Sequence, residues 1–514
     1  MELALTNEDR KQIKDLGIEE EYIQWQIEMF KKGTPYVKLL RPCTIGDGII
    51  RLSDKEVQEL VQVYKDKTAN IKKIKFVPAS GAATRMFKAL VRFYYEGADL
   101  KKIKKLASQG DQDARDMWVF VSNIKRFAFY EDLKSVLKKE GLDAEKLIME
   151  NKVDRVLHYL LTEDGLNYAN LPKALIKFHN YPDGSRTAFE EQLVEAWGYI
   201  AGQDGCHLHF TVSPEHKERF IQFFEKVRNR YEGRYCTRYD VEFSLQDRST
   251  DTIAVDLNNR PFRTKDGRLL FRPGGHGALL DNLNTIDGDV IFIKNIDNVV
   301  PDRLKQHIYL WKRALAGYLL KIRDRVNGSI RALKKGADEN TLQRIEAFCK
   351  EYLCLEIPQN LGKAQRIEYI IDHLNRPLRV CGMVRNVKEP GGGPFWIKDP
   401  EGNVSLQIVE SAQVDMSSEE QRDIFDSSTH FNPVDIVCWV KDWQGNRFDL
   451  KKYVDTNAVF ITTKSKDGKE LKALELPGLW NGGMAYWNSI FIEVPFITFN
   501  PVKKVVDLLR ENHQ

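Results

Sequence analysis

VIFIKNIDN, residues 290–298, is the stretch that decides the fold. An apolar run ends at Lys294 and leads into Asp297, which Asn295 and Asn298 flank. A short, continuous apolar run that stops at polar residues predicts a buried strand of a parallel sheet. Ligands of such sheets bind beyond the carboxyl ends of the strands, so Asp297 is predicted to lie at a ligand-binding edge. An N-cap or an Asx turn is the structural alternative, because Asp and Asn favour both.

Further strand-like runs alternate with helical patterns on both sides of this stretch. They cover residues 74–77, 174–178, 207–212, 241–245, 379–384, 405–409, 435–440, 458–462 and 489–494. Strands separated by helices imply right-handed crossovers between parallel strands. We therefore predict an α/β fold, in which helices flank a mostly parallel, twisted, Rossmann-like sheet with helical insertions. The closer spacing of the later strands predicts a mixed edge.

Charge-rich helical patterns divide the chain into segments. Residues 1–70 are predicted to be an N-terminal helical segment, and residues 71–300 a first part of the α/β core with a helical insertion at 98–165. A helical block at 301–375 precedes the second part of the core, 376–514, which is predicted to end in a helix. Within it, the glycine-rich run 389–394 predicts a loop.

Composition limits the classes of function. Lys+Arg 78 against Asp+Glu 74 gives a net charge of +4, which provides no electrostatic footprint for nucleic acid. The chain has no apolar run of about 20 residues and no apolar region at its N-terminus, so neither a membrane span nor a signal peptide is predicted. Seven scattered cysteines without a C-x-x-C pair predict buried thiols rather than zinc or disulfides. We expect a soluble, cytoplasmic protein of undetermined oligomeric state.

The first candidate site follows the strand at 74–77. The loop carries Ser80, Gly81 and Thr84, and a predicted helix then begins at Arg85. Small side chains let backbone N–H groups approach a phosphate, and a helix N-terminus adds partial positive charge. Arg85 could bind phosphate oxygens through its several donors. A purely structural turn is an equal alternative, and the motif is not a P-loop.

Two more segments carry candidate ligand-binding residues. Lys173 follows a proline and precedes the strand predicted at 174–178, where a solvated lysine is the simpler explanation. The loop 273–277 holds three glycines within four residues, together with His276. Such a run indicates either positive φ angles or a group packed against the main chain, such as a base or a phosphate. A tight connection between strand and helix explains it equally well.

His207 and His209 alternate on a predicted strand, so both side chains lie on one face as metal ligands could. No third ligand lies near them in the sequence. We therefore favour ordinary core or surface histidines over a metal site.

Taken in order, these motifs resemble the UDP-sugar pyrophosphorylases, especially the UDP-N-acetylhexosamine pyrophosphorylase type and a group of bacterial proteins with the same pattern. The matching segments are residues 80–85 for a G-G-x-G-T-R signature, 172–173 for Pro-Lys, 242–246 for F-x-Q, 273–280 for P-x-G-N-G-G-L-Y, 296–298 for V-D-N, 389–390 for E-P-V-G, 407–410 for Q-V-V-E and 499–503 for F-x-P-L/V-K. Ser80, Ala83, His276 and Ala278 depart from the pattern. These departures leave the nucleobase open.

The resemblance implies a nucleotide-diphospho-sugar transferase fold and a sugar-1-phosphate nucleotidyltransferase. Such an enzyme joins a nucleoside triphosphate, here UTP in preference to others, to a sugar 1-phosphate and releases pyrophosphate with Mg²⁺ as cofactor. Residues 71–300 would then bind the nucleotide, and 376–514 would supply sugar-side strands. The implied roles are β/γ-phosphate binding by Arg85, α-phosphate binding by Lys173, sugar-phosphate binding by Lys503, Mg²⁺ ligation by Asp297, nucleotide binding by Ser80, Gly81, Thr84, Gln246, Gly275 and His276, and sugar binding by Glu410 and Asn481.

Two other functions remain open at this point. The glycine replacements are compatible with a non-catalytic protein that binds a nucleotide sugar on the same fold. A sugar kinase is a further alternative, and it would release a nucleoside diphosphate in place of pyrophosphate. The chain shows no Ser–His–Asp or Cys–His arrangement.

Overall fold

The structure is a computed structural model that describes residues 5–81, 83–387, 391–466 and 468–514. No helix in these ranges combines the length and the apolar character needed to cross a lipid bilayer. The described α-helices are α1 Asn7–Asp15, α2 Glu20–Lys32, α3 Asp54–Lys67, α4 Lys88–Glu96, α5 Leu100–Ser108, α6 Gln112–Ser122, α7 Tyr130–Lys139, α8 Ala144–Met149, α9 Val153–Leu161, α10 Ala188–Ile200, α11 Lys217–Tyr235, α12 Leu279–Thr285, α13 Lys305–Lys334, α14 Glu339–Leu353, α15 Lys363–Leu374 and α16 Glu419–Asp426.

Nineteen strands lie between these helices in the described part of the chain. They are β1 Lys38–Pro42, β2 Thr44–Ile45, β3 Gly48–Ile50, β4 Lys73–Pro78, β5 Lys177–His179, β6 Arg186–Thr187, β7 Cys206–Val212, β8 Tyr239–Leu245, β9 Thr252–Val255, β10 Phe271–Arg272, β11 Val290–Lys294, β12 Leu378–Arg385, β13 Gly393–Lys398, β14 Val404–Val409, β15 His430–Phe431, β16 Asp435–Trp439, β17 Phe460–Lys466, β18 Lys469–Glu475 and β19 Asn488–Glu493.

The chain forms two compact units. Unit 1 contains residues 1–76, 244–293 and 310–496, and unit 2 contains residues 77–243, 294–309 and 497–514. Each unit is therefore assembled from segments that are far apart in the sequence. The predicted segments have other bounds. Three boundaries of the units fall within strands β4, β8 and β11.

The main sheet of unit 1 is mixed and mostly parallel. Its strands lie in the order β2-β3-β19-β12-β16-β11-β4, and β15 also pairs with β12. The pairs β2–β3, β3–β19, β19–β12 and β11–β4 are parallel, whereas β12–β16 is antiparallel. Strand β11 is buried along its whole length, as expected for a parallel strand covered on both faces. The fold class predicted from the sequence, α/β with a mostly parallel sheet, is confirmed.

Two smaller sheets complete unit 1, with strand orders β1-β13-β14 and β10-β9-β18-β17. Helices α1 and α2 pack on the second of these sheets, where Ile23 and Phe30 share a core with Ile253, Val255 and Leu474. The prediction of a helical N-terminal segment is wrong for residues 38–50, which form β1, β2 and β3. These strands are short, and their apolar residues are too few for the alternation to stand out beside two charged amphipathic helices.

Unit 2 is built around the buried helix α10. Its start is fixed by a capping box in which Thr187 Oγ1 accepts from the Glu190 amide and the Glu190 carboxylate accepts from the Thr187 amide. Aromatic side chains of α10, β7, α11 and β8 form one cluster around Phe189. The predicted helical insertion at 98–165 contains helices α5 to α9 and no strand.

Three further predictions of local structure are corrected. Residues 173–175 form a 3-10 turn and β5 begins only at Lys177, because the chain bends where the Lys173 amide bonds to the Gly81 carbonyl. The predicted C-terminal helix is a pair of short 3-10 turns, since the amides of Lys503 and Lys504 bond to the Asp507 carboxylate. Of the predicted loop 389–394, Glu389 and Pro390 lie outside the described residues, and β13 begins at Gly393.

Helix α13 offers a matched test of the packing of unit 1. A Cβ atom at Gly317 would lie 2.0 Å from the Leu60 carbonyl oxygen on α3, whereas a Cβ at Gly328 would meet nothing within 4 Å. We expect Gly317→Ala to lower the free energy of unfolding by about 2 kcal/mol or more through overpacking. Gly328→Ala should instead raise it by about 0.5–1 kcal/mol. Urea denaturation of both variants measures the difference, and equal stabilities would contradict the close approach of α13 to α3.

Candidate functional site

In unit 2, the loop after β4 is tied to two other segments by backbone hydrogen bonds. The Ala79 amide donates to the Thr211 carbonyl, and the Ala83 amide donates to the Leu171 carbonyl. Ala83 is buried and begins a 3-10 turn that ends at Arg85, so the α-helix starts only at Lys88. Ser80 is half-buried, whereas Gly81, Thr84 and Arg85 are exposed. The exposed part of the loop can approach a ligand, but the Ala79 and Ala83 amides are already used by the protein itself.

Lys173 is held at the centre of this region. Its side-chain Nζ lies 2.7 Å from Asp297 Oδ2 and 2.9 Å from the Val502 carbonyl oxygen. Its amide donates to the Gly81 carbonyl at 3.2 Å. A lysine that is only 17% exposed and bonded in this way is not a solvated residue at the start of a strand. The simpler explanation of Lys173 is therefore wrong.

Asp297 lies in a turn directly after β11, as the sequence predicts, and helix α10 fixes this turn. Gln192 Nε2 donates to the carbonyl oxygens of Asn295 and Ile296 at 3.0 and 3.1 Å. The side chain of Asn298 accepts from the Asn500 amide at 2.8 Å and donates to the Thr498 carbonyl at 3.2 Å. The segment that carries Lys503 is thus anchored to the strand end that carries Asp297.

These contacts bring four distant segments together in unit 2, which we call the Lys173 cluster: residues 79–86, 171–173, 295–298 and 498–505. The Val505 amide donates to the Met86 carbonyl, which closes the set. Arg85 and Lys503 are exposed members of the cluster, and Lys173 and Asp297 are its half-buried centre. Arg85, Lys173 and Lys503, together with the Asp297 carboxylate, can neutralise and align a polyanion such as a triphosphate, whereas Lys504 is paired with Asp116.

The residues around Asp297 offer one carboxylate to a divalent metal. The Asn298 side chain is used to hold residues 498–500, and no group of three His, Cys, Asp or Glu side chains in the described residues could hold a metal ion. Mg²⁺ usually takes one or two protein carboxylates and completes its shell with water and substrate phosphates. Asp297 fits such an ion only together with a phosphate ligand. The pair His207 and His209 bonds instead to Asp240 and Glu242 of the neighbouring strand, as ordinary paired histidines do.

In unit 1, the glycine loop owes most of its composition to packing. A Cβ atom at Gly274 would lie 2.6 Å from the Thr250 carbonyl oxygen, and one at Gly277 would lie 2.4 Å from Leu476 Cβ. Gly275 has a φ of +60°. Gly274 and Gly277 therefore permit an approach of the protein's own chain and Gly275 permits a positive φ, which is the structural explanation of the loop.

The predicted nucleotide-binding and sugar-binding residues of unit 1 form a chain of contacts. Gln246 Nε2 donates to the Gly275 carbonyl at 3.2 Å, and the ring of His276 lies 4.4 Å from that of Trp480. Asn481, next in sequence, donates to Glu410 Oε1 at 3.3 Å. We call these residues, together with Glu475, the Trp480 group. Asn481 is 1% exposed, so this predicted sugar-binding side chain is buried.

The carboxyl group of Glu410 has a perturbed environment. Burial raises its pKa, a hydrogen bond from Trp480 opposes that shift, and the charge of Glu475 adds to it. Gln413 holds Asn481 from the other side, at 3.2 Å. The two N–H groups of the Asn481 amide are used for Glu410 and Gln413, so the Glu410 carboxylate and the Asn481 carbonyl oxygen can only accept hydrogen bonds from hydroxyl groups.

The polar face of α10, formed by Glu191, Gln192 and Glu195, was not predicted from the sequence. Glu191 and Glu195 are fully buried and pair with Lys305 at 2.5 Å and Lys294 at 2.9 Å. Together with Gln192 they fix both ends of residues 294–305 around Asp297. The sequence contains a signal for these residues. A T-x-x-E box at 187–190 marks the start of a helix rich in apolar residues, and two carboxylates within this helix are spaced i, i+4.

A second buried network holds the end of unit 2. His179 Nδ1 lies 3.0 Å from Glu191 Oε1, and His179 Nε2 lies 2.9 Å from His513 Nδ1. Because a carboxylate only accepts, His179 donates from Nδ1, and one of the two facing nitrogens, His179 Nε2 or His513 Nδ1, donates to the other. This bond anchors residues 497–514, the segment that supplies Val502 and Lys503 to the Lys173 cluster.

Comparison with known proteins gives one family and several distant structural likenesses. A family model described as a domain of unknown function (DUF4301) matches residues 6–514, and no curated protein matches the chain. Similar solved structures include a mutant UDP-glucose pyrophosphorylase from Leishmania major, at 11% identity and a TM-score of 0.44, with 98% of this chain and 79% of that chain covered. The uridine diphosphate N-acetylglucosamine pyrophosphorylase from Trypanosoma brucei has 12% identity and a TM-score of 0.46, with 95% and 74% covered.

The buried His513 predicts an acid-sensitive unit 2. Burial, followed by the charges of His179 and Arg510, lowers the pKa of His513 to about 3, whereas an unfolded histidine has a pKa of about 6.5. As the pH falls below 6.5 the unfolded chain binds a proton that the folded chain does not, so stability is lost with falling pH. Between pH 7 and pH 5 this group alone should cost about 2 kcal/mol.

Urea denaturation at pH 7 and pH 5 measures this effect. We expect His513→Gln to lose about 2 kcal/mol less stability over this interval than the wild-type protein. His307→Gln, which replaces an exposed histidine of the same unit, controls for the loss of a histidine as such. An identical pH response in wild type and His513→Gln would contradict the assignment.

Proposed function

The chain belongs to the DUF4301 family, and we propose that it is a sugar-1-phosphate nucleotidyltransferase that joins a nucleoside triphosphate to a sugar 1-phosphate and releases pyrophosphate. The observation that carries the proposal is the position of Lys173, bonded to Asp297 at the end of β11 and to the carbonyl of Val502 beside Lys503. Residues that match a pyrophosphorylase pattern in four separate stretches of sequence meet there in one unit. Phosphate chemistry explains why a lysine and a carboxylate are needed at that point.

The proposed reaction needs charge neutralisation and alignment more than proton transfer. A sugar phosphate has a second pKa of about 6, so its oxygen is already an ionised nucleophile at neutral pH. That oxygen forms a bond to the α-phosphorus while the bond from the α-phosphorus to the bridging oxygen breaks, and pyrophosphate leaves with the electron pair. This accounts for a candidate site that holds cations and no activated serine or cysteine.

Four charged residues of the Lys173 cluster receive a role in this reaction. Lys173 has three N–H donors, of which two are bonded to Asp297 and Val502, so one remains for the α-phosphate. Arg85 would bind the phosphates that leave as pyrophosphate, and Lys503 would bind the sugar phosphate. Asp297 would hold a Mg²⁺ ion, which when bound supplies further positive charge to the phosphates.

The Trp480 group receives the base and the sugar in the same proposal. Gln246, Gly275 and His276 would contact the base, and UTP is the first nucleotide to test. Glu410 and Asn481 would accept hydrogen bonds from sugar hydroxyls. The backbone of the loop that carries Ser80, Gly81 and Thr84 would line the triphosphate.

A non-catalytic nucleotide-sugar binding protein is the second candidate function, and one observation favours it. Alanine replaces glycine at residue 83, where the side chain is buried and the amide is already bonded to Leu171. Fewer amides of the loop are therefore left for a triphosphate than a fully open glycine loop would offer. A binder would retain affinity for the nucleotide sugar without turnover.

Lys503 and Lys504 provide a matched pair of variants for the catalytic proposal. Both side chains are exposed, but Lys504 bonds to Asp116 at 2.7 Å and has no proposed contact with substrate. We expect Lys503→Gln to lower kcat/KM about a hundredfold, since one charge-stabilising contact in the transition state is worth about 3 kcal/mol. Lys504→Gln should stay within threefold of wild type, and Asp297→Asn should lose at least as much as Lys503→Gln.

The measurement is pyrophosphate formation from UTP and a panel of sugar 1-phosphates, with and without Mg²⁺. Equal losses in the two lysine variants would refute the role of Lys503. Release of nucleoside diphosphate without pyrophosphate would identify a kinase. Saturable binding of UDP-sugars to a protein that forms no pyrophosphate would establish the second candidate function.

Gly81 tests the approach of a ligand to the loop. A Cβ atom there would meet no described atom within 4 Å, so Gly81→Ala should leave the melting temperature unchanged. If a phosphate packs against this backbone, the same variant should weaken UTP binding about tenfold or more. Gly233→Ala, at a similarly open position in α11, is the control. Unchanged UTP affinity in Gly81→Ala would show that no phosphate contacts this residue.

A further inference from the structure

Unit 1 contains a large cleft that the proposed function does not use. Its volume is about 1190 Å³, at or above the upper end of the range of about 300–1,000 Å³ for small-molecule sites. Helices α14 and α15 and the connection between them form one wall. The first residues of β14 and the segment 485–489 form the other. The helical block predicted at 301–375 therefore contributes a binding surface in addition to covering the sheet.

The cleft borders the first residues of strand β14, and the Trp480 group borders the end of the same strand. It is lined by residues 404–407 at the start of β14, whereas Glu410 follows the end of that strand. Gln407, the lining residue of this strand nearest to Glu410, precedes it by three residues, and three residues of extended chain span about 10 Å. The cleft also borders Asn488 and Ser489, the first residues of β19, which runs parallel to β12. It opens at the amino ends of these strands, and ligands of parallel sheets normally bind at the carboxyl ends.

The charges that line the cleft balance. The cations are Lys350, Arg366 and Arg376, and the anions are Glu346, Glu356 and Asp399. Arg366 is bonded to Glu346 at 2.8 Å, and Arg376 to Asp372 at 2.7 Å. A site for a phosphate or another anion would need an excess of cations that are not already paired. The lining therefore favours a ligand without net charge.

Polar groups of both kinds alternate with aromatic rings in the cleft. His373 donates from Nδ1 to the Tyr369 carbonyl at 2.8 Å, which leaves Nε2 as an acceptor, and burial lowers the pKa of this imidazole so that it stays neutral. Trp487 is 5% exposed and its indole N–H is buried without a partner among the described residues, so its ring rather than its N–H borders the cleft. Tyr486, at 45% exposure, and the Tyr369 ring, 4.0 Å from that of His373, add aromatic surface.

We propose that this cleft binds a neutral saccharide of more than one sugar unit. Hydroxyl groups both donate and accept, which matches the mixture of donors and acceptors in the lining. The C–H faces of sugar rings pack on aromatic side chains. A purely apolar ligand would leave the polar groups of the lining unpaired. The size of the cleft exceeds the needs of one sugar ring, and its openness to solvent suits a short oligosaccharide.

The test is a calorimetric titration of the full-length protein with maltotriose, cellotriose and tri-N-acetylchitotriose, with UMP as an anionic probe. We expect at least one trisaccharide to bind saturably and Tyr486→Ala to weaken that binding at least tenfold. Tyr36→Ala removes a similarly exposed tyrosine of the same unit, 55% exposed, that does not line the cleft, and it should leave the affinity unchanged. Lys350→Gln keeps hydrogen bonding but removes a charge, so affinity should change less than threefold.

Several results would overturn the proposal. One is that none of the three trisaccharides binds. Another is that trisaccharide binding is equally strong in Tyr486→Ala and wild type, which would locate it elsewhere. A tenfold or greater loss in Lys350→Gln, or UMP binding that Tyr486→Ala abolishes, would indicate an anion site. Pyrophosphate formation is measured separately on the same variants, so failure of the catalytic proposal does not affect this result.

Discussion

The pairing of the buried polar face of helix α10 is the constraint on which unit 2 depends. A carboxylate without a partner in a dry interior is costly, so Glu191 and Glu195 require cations, and they find them in Lys305 and Lys294. These two lysines bracket Asp297, and Gln192 fixes the carbonyl groups between them. The position of Asp297 therefore follows from pairs that cannot be broken without leaving a buried charge. Lys173 is oriented in turn by Asp297 and by Val502, 124 and 329 residues away in the sequence.

Periodicity predicted the sheet well and the connections poorly. The run 290–294 is apolar at every position before its lysine, and it is β11 at the predicted bounds. Short segments carry too few residues for a pattern, so β1 to β3 were missed. For the same reason the strand predicted at 174–178 was placed too early, because residues 174 and 175 belong to a 3-10 turn. That turn exists because the Lys173 amide bonds to Gly81, 92 positions earlier in the chain. A contact of this kind has no local signature, and the division into two discontinuous units has none either.

The structure accounts for the positions of the charged candidate residues and of the candidate glycines by different physical reasons. Charged residues at strand ends must find partners, so the meeting of Lys173 with Asp297 follows from burial and charge. Glycines are less informative, because packing of the protein and approach of a ligand both select them. In the loop 274–277 the structure assigns the close contacts to Thr250 and Leu476, whereas no described atom approaches the Cβ position of Gly81. Among the candidate site glycines, Gly81 is therefore the one whose small size the described contacts do not explain.

The same reasoning separates the two polar regions of unit 1. In the Trp480 group the buried amide of Asn481 is held between Glu410 and Gln413, so its orientation is set before any ligand binds. In the cleft beside α14 and α15, ion pairs hold Arg366 and Arg376, while the Nε2 acceptor of His373 has no partner in the described chain. Fixed charges and unpaired neutral groups are what recognition of an uncharged, hydroxyl-rich molecule requires, because such a ligand gains from hydrogen bonds and would gain nothing from an ion pair. The helical block thus adds a surface with chemistry distinct from that of the cations of the Lys173 cluster in unit 2.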